Sequence, residues 1–111
     1  MQGILRTDLF INRLVRGILI PMIEIQCIAR GRVQGVAYRV YVQDAATELE
    51  LVGYVKNLPD GTVEIVAQGE PDTLKEFIEY LHEGSSLAKV ESAAVDWQSA
   101  KVTYEEFSVL H

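Results

Sequence analysis

The sequence has few cysteines and histidines, the residues that form cross-links and bind zinc. It contains one cysteine and two histidines in 111 residues. A single cysteine excludes an internal disulfide and a cysteine-rich zinc site. Cys27 falls in an alternating apolar run, so we expect a buried, inert thiol. An unpaired cysteine fits a reducing cytoplasm, where we expect this protein to be located. Because clusters of cysteine and histidine ligands are missing, we expect no metal, and we expect no other cofactor.

The sequence also lacks a long hydrophobic run. No apolar stretch approaches the ~20 residues that a membrane-spanning helix needs. We therefore expect no membrane association. The apolar fraction of 49% argues against disorder, and the length suits one domain with a real core.

Residues 1–21 differ in character from the rest, because three arginines interrupt their apolar residues. Met22 directly precedes the first strand-like run. We therefore divide the chain into an N-terminal extension, 1–21, and a domain, 22–111. Our preferred interpretation of the extension is a start site set too far upstream, or a tag; the alternatives are an amphipathic surface helix and a targeting sequence.

Charge is distributed unevenly along the chain. Residues 1–39 hold six arginines and two acids, a net charge of +4, whereas residues 40–111 have a net charge of −10. The acidic part would repel nucleic acid, so we expect no nucleic-acid partner. A local positive segment suits a small anion better than a polyanion.

The apolar periodicity predicts an α+β domain. Strands are predicted at 23–30, 52–57, 62–68, 90–97 and 107–110, and helices begin near Tyr38 and Pro71. This order is βαββαβ with a short extra C-terminal strand, which is the ferredoxin-like sandwich: two helices on one face of an antiparallel sheet. We expect the strand after the first helix to lie beside the first strand. A shift in the alternation near Glu91 to Ala93 indicates either a β-bulge or a different strand boundary.

One motif suggests an anion site: Gly31-Arg32-Val33-Gln34-Gly35-Val36-Ala37-Tyr38-Arg39. Its two glycines allow a tight turn with no Cβ in the way of an approaching group. The helix that follows would point its first N–H groups at that turn, where they favour a phosphate-like anion. The alternative is an ordinary strand-to-helix loop with two surface arginines.

A second motif ends the strand 52–57 with Asn57 and continues into the turn Leu58-Pro59-Asp60-Gly61. Asparagine at such a position is compatible with a purely structural role, because its side chain stabilises turns. Taken together, the two motifs closely resemble those of the acylphosphatase family. The resemblance extends from about Ile23 to Leu110.

The resemblance implies a small, metal-independent hydrolase that splits the carboxyl-phosphate anhydride of acyl phosphates. Arg39 would hold the phosphate together with the loop, and Asn57 would orient the attacking water. The implied phosphate-binding residues are Arg32, Val33, Gln34, Gly35, Val36, Ala37, Tyr38 and Arg39. Three positions depart from the family pattern: Tyr38 for phenylalanine, Tyr54 for tryptophan, and Glu50 where glycine often ends the first helix.

No general acid is evident near the motifs. His82 and His111 lie far from the loop in sequence, and we expect both to be exposed bystanders. A carboxylate leaving group needs no proton, because its pKa resembles that of Asp or Glu. An acyl phosphate therefore suits this site better than a phosphate monoester, and a substrate oxygen would take the proton of the water.

Two other functions remain open. One is a non-catalytic ferredoxin-like module that binds an anion or a partner through the same loop. The other is a domain of a larger carbamoyl-transfer protein; the short chain and the lack of zinc-finger cysteines argue against it. We expect a monomer whose partner is a small-molecule acyl phosphate.

Overall fold

The computed structural model describes residues 12–15 and 17–111, with side chains described from residue 22 onward. The strands are β1 Asn12–Val15, β2 Ile18–Pro21, β3 Ile23–Arg32, β4 Val52–Asn57, β5 Val63–Gly69, β6 Lys89–Ser99 and β7 Phe107–Leu110. The helices are α1 Tyr38–Glu48 and α2 Pro71–Glu83.

Five strands form one sheet in the order β6–β3–β5–β4–β7. The first four are antiparallel neighbours, and β7 joins β4 in parallel, so the extra strand makes the sheet mixed. Helix α1 packs on β4 and β7, and α2 packs on β3, β5 and β6. The predicted ferredoxin-like α+β fold is therefore confirmed.

The predicted neighbour of β3 was wrong. The strand after α1 is β4, and β5 lies between β3 and β4. Burial agrees with this order, since six of the seven residues of β5 are buried, as expected of a central strand, whereas β4 alternates between buried and less buried positions. One face of β5 carries the core residues Val63, Ile65 and Ala67, and the opposite face carries Glu64, Val66 and Gln68.

Two residues after the end of α1 lies Glu50, one of the three positions that depart from the family pattern. Glu50 has φ 59°, in the left-handed region that favours glycine. Its N–H donates to the carbonyl oxygen of Thr47 at 3.0 Å, and Leu51 N–H donates to that of Ala46 at 2.8 Å. These two bonds, with the buried Leu51 side chain, form a Schellman motif that accepts glutamate at its left-handed position.

The predicted bulge lies in β6. Arg30 pairs with Ser92 and Gly31 pairs with Val90, so Glu91 is the extra residue. A Cβ on Gly31 would collide with the backbone of Lys89 and of Glu91. Glycine is thus required here by the close approach of β3 and β6.

The segment between β6 and β7 must pass from one edge of the sheet to the other. Gln68 holds it there, because its Nε2 donates to the carbonyl oxygen of Val102 and its Oε1 accepts from Tyr104 N–H at 3.3 Å. The same Nε2 also donates to Glu24 at 2.9 Å. This buried polar cluster places β7 beside β4 and so beside the start of α1.

The described part of the extension is a two-stranded antiparallel hairpin of β1 and β2. Gly17, with φ 79°, lies between the strands. Residues 12–15 and 17–21 are therefore not the surface helix that we considered, in keeping with their β-branched valine and isoleucines. The interpretation of residues 1–11 and 16 lies outside the described residues. Over the described ranges, neither helix is long and apolar enough to span a membrane.

Candidate active site

The sheet topology brings the two sequence motifs together. Both β3 and β4 are antiparallel to β5, so their C-terminal ends lie at the same end of the sheet. Val63 is the cross-strand neighbour of Ala29 on one side and of Asn57 on the other. Because β7 runs parallel to β4, Leu110 of β7 also lies at this end of the sheet, opposite Lys56 of β4. The strand directions thus place the loop after β3 and the turn after Asn57 at the same end of the sheet.

The loop between β3 and α1 owes its shape to two left-handed residues. Gly35 has φ 75°, and a Cβ built on it would meet nothing within 4 Å, so glycine here serves the backbone conformation. Ala37 has φ 62° and is the N-cap of α1. An alanine side chain cannot accept a hydrogen bond, so it leaves the first N–H groups of α1 uncapped. Uncapped amides at a helix start suit an anion.

A pocket of about 310 Å³ opens where the loop, α1, β4 and β7 meet. Its walls combine the loop and helix start with the ends of both strands. The lining residues are Val33, Gly35, Ala37, Tyr38, Arg39, Val40, Gln43, Asn57, Val109 and His111. Arginine is present and no acidic side chain occurs among these described lining residues, so the pocket suits an anion.

Arg39 lies in the first turn of α1 and is half-buried. Its Nη1 donates to the carbonyl oxygen of Leu110 at 2.7 Å and lies 3.5 Å from Nδ1 of His111. These contacts hold the guanidinium against the end of β7. A guanidinium has five N–H donors, so others remain for a ligand.

Asn57 presents a polar atom that the protein itself does not satisfy. Its Oδ1 is buried and accepts no hydrogen bond from the described residues. A buried acceptor without a donor costs about 1–3 kcal/mol, so such atoms occur where a ligand or a water completes them. The position of Asn57 in the pocket wall is consistent with that use.

Three of the predicted phosphate-binding residues do not line the pocket. Arg32 is exposed at the end of β3, where its backbone lies opposite that of Lys89 in β6. The carbonyl oxygen of Val36 accepts a hydrogen bond of 2.8 Å from Ser85 Oγ. Gln34 directs its side chain away toward the turn after β4.

Tyr38 and Tyr54, the two tyrosines that depart from the family pattern, both donate a hydrogen bond through their hydroxyl groups. Tyr38 is buried, and its hydroxyl donates to the carbonyl oxygen of Leu81 near the end of α2 at 2.8 Å. Burial raises the pKa of Tyr38. Tyr54 donates to Glu64 Oε1 at 3.2 Å, and burial together with this carboxylate raises the pKa of Tyr54 to about 12.

Sequence reasoning set aside one residue that the structure places in the pocket. His111 is exposed, as expected, but it lines the pocket beside Arg39. Gln43, one turn further along α1, also lines it and donates to the carbonyl oxygen of Phe107 at 3.1 Å. The position of Gln43 four residues after Arg39 was the available signal; His111 had none, because its place depends on the parallel pairing of β7.

The described residues contain no group of three or more His, Cys, Asp or Glu side chains arranged to hold a metal ion. The side chains that could hold a ligand at the pocket are therefore a guanidinium, two amides and an imidazole. Such donors, together with the loop amides, can neutralise and orient a phosphoryl group.

Comparison with known proteins agrees with this geometry. A sequence model of the family described as Acylphosphatase matches residues 25–109. An acylphosphatase of Thermus thermophilus is 47% identical over 76 residues, which are 68% of this chain and 86% of that protein. The crystal structure of acylphosphatase from Bacillus subtilis is 37% identical with a TM-score of 0.78, covering 80% of this chain and 99% of that one.

A larger protein contains a similar unit. The crystal structure of full-length HypF in its phosphate- and nucleotide-bound form is 29% identical with a TM-score of 0.79. The match covers 86% of this chain and 13% of that one. The family match nevertheless spans both motifs and nearly all of the residues from β3 to β7, and on that basis the chain belongs to the acylphosphatase family.

Proposed function

We propose that the loop between β3 and α1, together with Arg39, holds the phosphoryl group of an acyl phosphate while Asn57 orients the attacking water. The reaction splits the carboxyl-phosphate anhydride into a carboxylate and inorganic phosphate. One observation carries the proposal: Arg39 and Asn57 line one pocket, and the buried Oδ1 of Asn57 accepts no hydrogen bond from the described residues.

Phosphate binding rests on backbone N–H groups and on a guanidinium. The uncapped N–H groups at the start of α1 and the left-handed backbone at Gly35 and Ala37 favour an anion. The guanidinium of Arg39 adds a full charge and a fork that matches two phosphate oxygens. Arg32, outside the pocket, contributes attraction at longer range, which salt screens.

Asn57 supplies the acceptor that a water molecule needs. Its buried Oδ1 accepts a hydrogen bond from the water and so turns an oxygen lone pair toward phosphorus. Positioning is the main contribution that a protein makes to phosphoryl transfer. A buried acceptor without a hydrogen bond costs free energy, so binding of a water molecule to Oδ1 is favoured.

The leaving group explains why the site can work without a general acid. A carboxylate leaves unprotonated near neutral pH, because its pKa is close to that of Asp or Glu. No acidic side chain stands among the described lining residues, and a substrate phosphate oxygen accepts the proton of the water. We propose that the reaction needs no metal ion.

Hydrolysis of benzoyl phosphate in the presence of EDTA tests this proposal. We expect release of benzoate and phosphate at the same rate with and without the chelator. Binding of inorganic phosphate without any turnover would instead identify a non-catalytic anion-binding module. Activity lost in EDTA and restored by Mg²⁺ or Zn²⁺ would contradict the metal-free mechanism alone.

The net charge of −6, together with a pocket that holds an arginine and no acidic side chain among its described lining residues, favours a small-molecule anion over nucleic acid. We propose a monomer that acts in the cytoplasm, where a lone unpaired thiol remains reduced.

A further inference from the structure

The side chain of Gln34 connects the phosphate loop to the turn that follows Asn57. Its Nε2 donates to the carbonyl oxygen of Leu58 at 2.8 Å and to that of Thr62 at 2.9 Å. Both distances are ideal for amide hydrogen bonds. The first acceptor belongs to the residue directly after Asn57, and the second to the residue before β5.

The two acceptors are also the atoms that close this turn. Leu58 N–H donates to the carbonyl oxygen of Thr62 at 2.9 Å, and Gly61 N–H donates to that of Leu58 at 3.1 Å. Gln34 therefore adds a second hydrogen bond at each carbonyl. It binds the turn at both ends and leaves its geometry less free to change.

The side chain of Gln34 is not suited to hold the phosphate itself. A carboxamide has two N–H donors, and both are occupied by these carbonyl oxygens. Its remaining polar atom, Oε1, is an acceptor and would repel a phosphate oxygen. Gln34 thus belongs to the loop through its backbone, while its side chain acts elsewhere.

From these contacts we infer that Gln34 is a positioning residue for Asn57. By fixing the turn at Leu58 and Thr62, it sets the distance between the phosphate loop and the Oδ1 of Asn57. The inference rests on the proposed role of Asn57. A change of about 1 Å in the position of a reacting group can cost up to about 10²-fold in rate, so this connection matters to turnover.

The test replaces Gln34 by methionine, which keeps the length of the side chain and removes both donors. Gln26→Met is the matched control, because Gln26 is a half-buried glutamine of β3 that donates to the side chain of Glu64 at 2.7 Å instead of to the turn carbonyls of Leu58 and Thr62. We expect Gln34→Met to lower kcat for benzoyl phosphate by about tenfold. Inhibition by inorganic phosphate should stay within about twofold of wild type. The control should change neither quantity.

A double-mutant cycle separates positioning from general stability. In an Asn57→Ala background the same Gln34→Met change should lower kcat by less than about twofold, because the residue through which it acts is gone. A full tenfold loss in that background, or phosphate affinity falling in step with kcat, would overturn the inference. Absence of turnover in the wild type would refute the proposed function instead.

A spectroscopic measurement decides the case if the doubly substituted protein turns over too slowly to measure. The side-chain NH₂ resonances of Asn57, assigned by their loss in Asn57→Ala, should move in Gln34→Met and stay in place in Gln26→Met. If Gln34→Met does not fold, Gln34→Leu also lacks the N–H donors, adds no charge to the loop and should give the same kcat pattern. Unmoved Asn57 resonances in a folded Gln34 variant would overturn the inference.

Discussion

The guanidinium of Arg39 donates a hydrogen bond of 2.7 Å to the carbonyl oxygen of Leu110. This bond joins the start of α1 to the end of β7. It gives the extra C-terminal strand a direct contact with the residue proposed to hold phosphate. A planar guanidinium can make this contact and still offer a two-pronged face to a phosphate.

Arg39→Lys should therefore weaken both binding and catalysis although the charge is kept. An ammonium cannot bond Leu110 and form a fork with two phosphate oxygens at once. We expect kcat/KM for benzoyl phosphate to fall by about 10²-fold and the inhibition constant of phosphate to rise. Arg30→Lys, at an exposed position of β3 outside the pocket, is the control and should resemble wild type. Equal activity of Arg39→Lys and wild type would reduce Arg39 to a simple source of charge.

Glu50→Gly should stabilise the protein. Glu50 has φ 59°, a conformation in which glycine is free of the strain caused by a Cβ. We expect the free energy of unfolding to rise by about 1 kcal/mol, as measured by urea denaturation. Glu48→Gly, inside the last turn of α1, is the matched control and should lower it by about 1 kcal/mol. A loss of stability in Glu50→Gly would show that the glutamate side chain contributes more than the strain costs.

The thiol of Cys27 should be unreactive in the folded protein. It is fully buried in the core, and this burial raises its pKa to about 12. Reaction with a disulfide reagent near pH 8 should be negligible until urea unfolds the chain. Because the thiol loses its proton more readily when unfolded, stability should also fall as the pH rises above about 8.5, the ordinary thiol pKa. Rapid labelling of native protein would contradict the buried position.

A protein that begins at Met22 should fold and turn over like the full chain. The sheet that carries the pocket starts with β3 at Ile23, and β1 and β2 form a separate two-stranded sheet. Melting temperature and kcat for benzoyl phosphate are the measurements. Aggregation or inactivity of the shortened protein would show that residues 1–21 belong to the functional domain.

Local patterns in the sequence predicted much of the fold and of the site. The spacing of Gly31 and Gly35 and the turn after Asn57 indicated the loop and the hairpin, because glycine and asparagine carry strong local preferences. The broken alternation near Glu91 located the bulge. Ala37 carried no such signal, since alanine rarely adopts the left-handed conformation that it has here.

Contacts between residues far apart in the sequence could not be predicted from local patterns. The placement of β5 between β3 and β4 depends on burial across the whole sheet, and no single run of residues records it. The contact of His111 with Arg39 requires β7 to pair in parallel with β4, and the side chain of Gln34 could as well have faced solvent. Such contacts follow from tertiary pairing.

The most direct test of the account is the effect of Asn57→Ala on two quantities measured together. Asn57 should hold the water and touch bound phosphate little, so kcat for benzoyl phosphate should fall by about 10²-fold or more. The inhibition constant of inorganic phosphate should remain near that of wild type, with circular dichroism showing an unchanged fold. A variant that keeps most of its kcat, or loses phosphate affinity in proportion to kcat, would contradict the role assigned to Asn57.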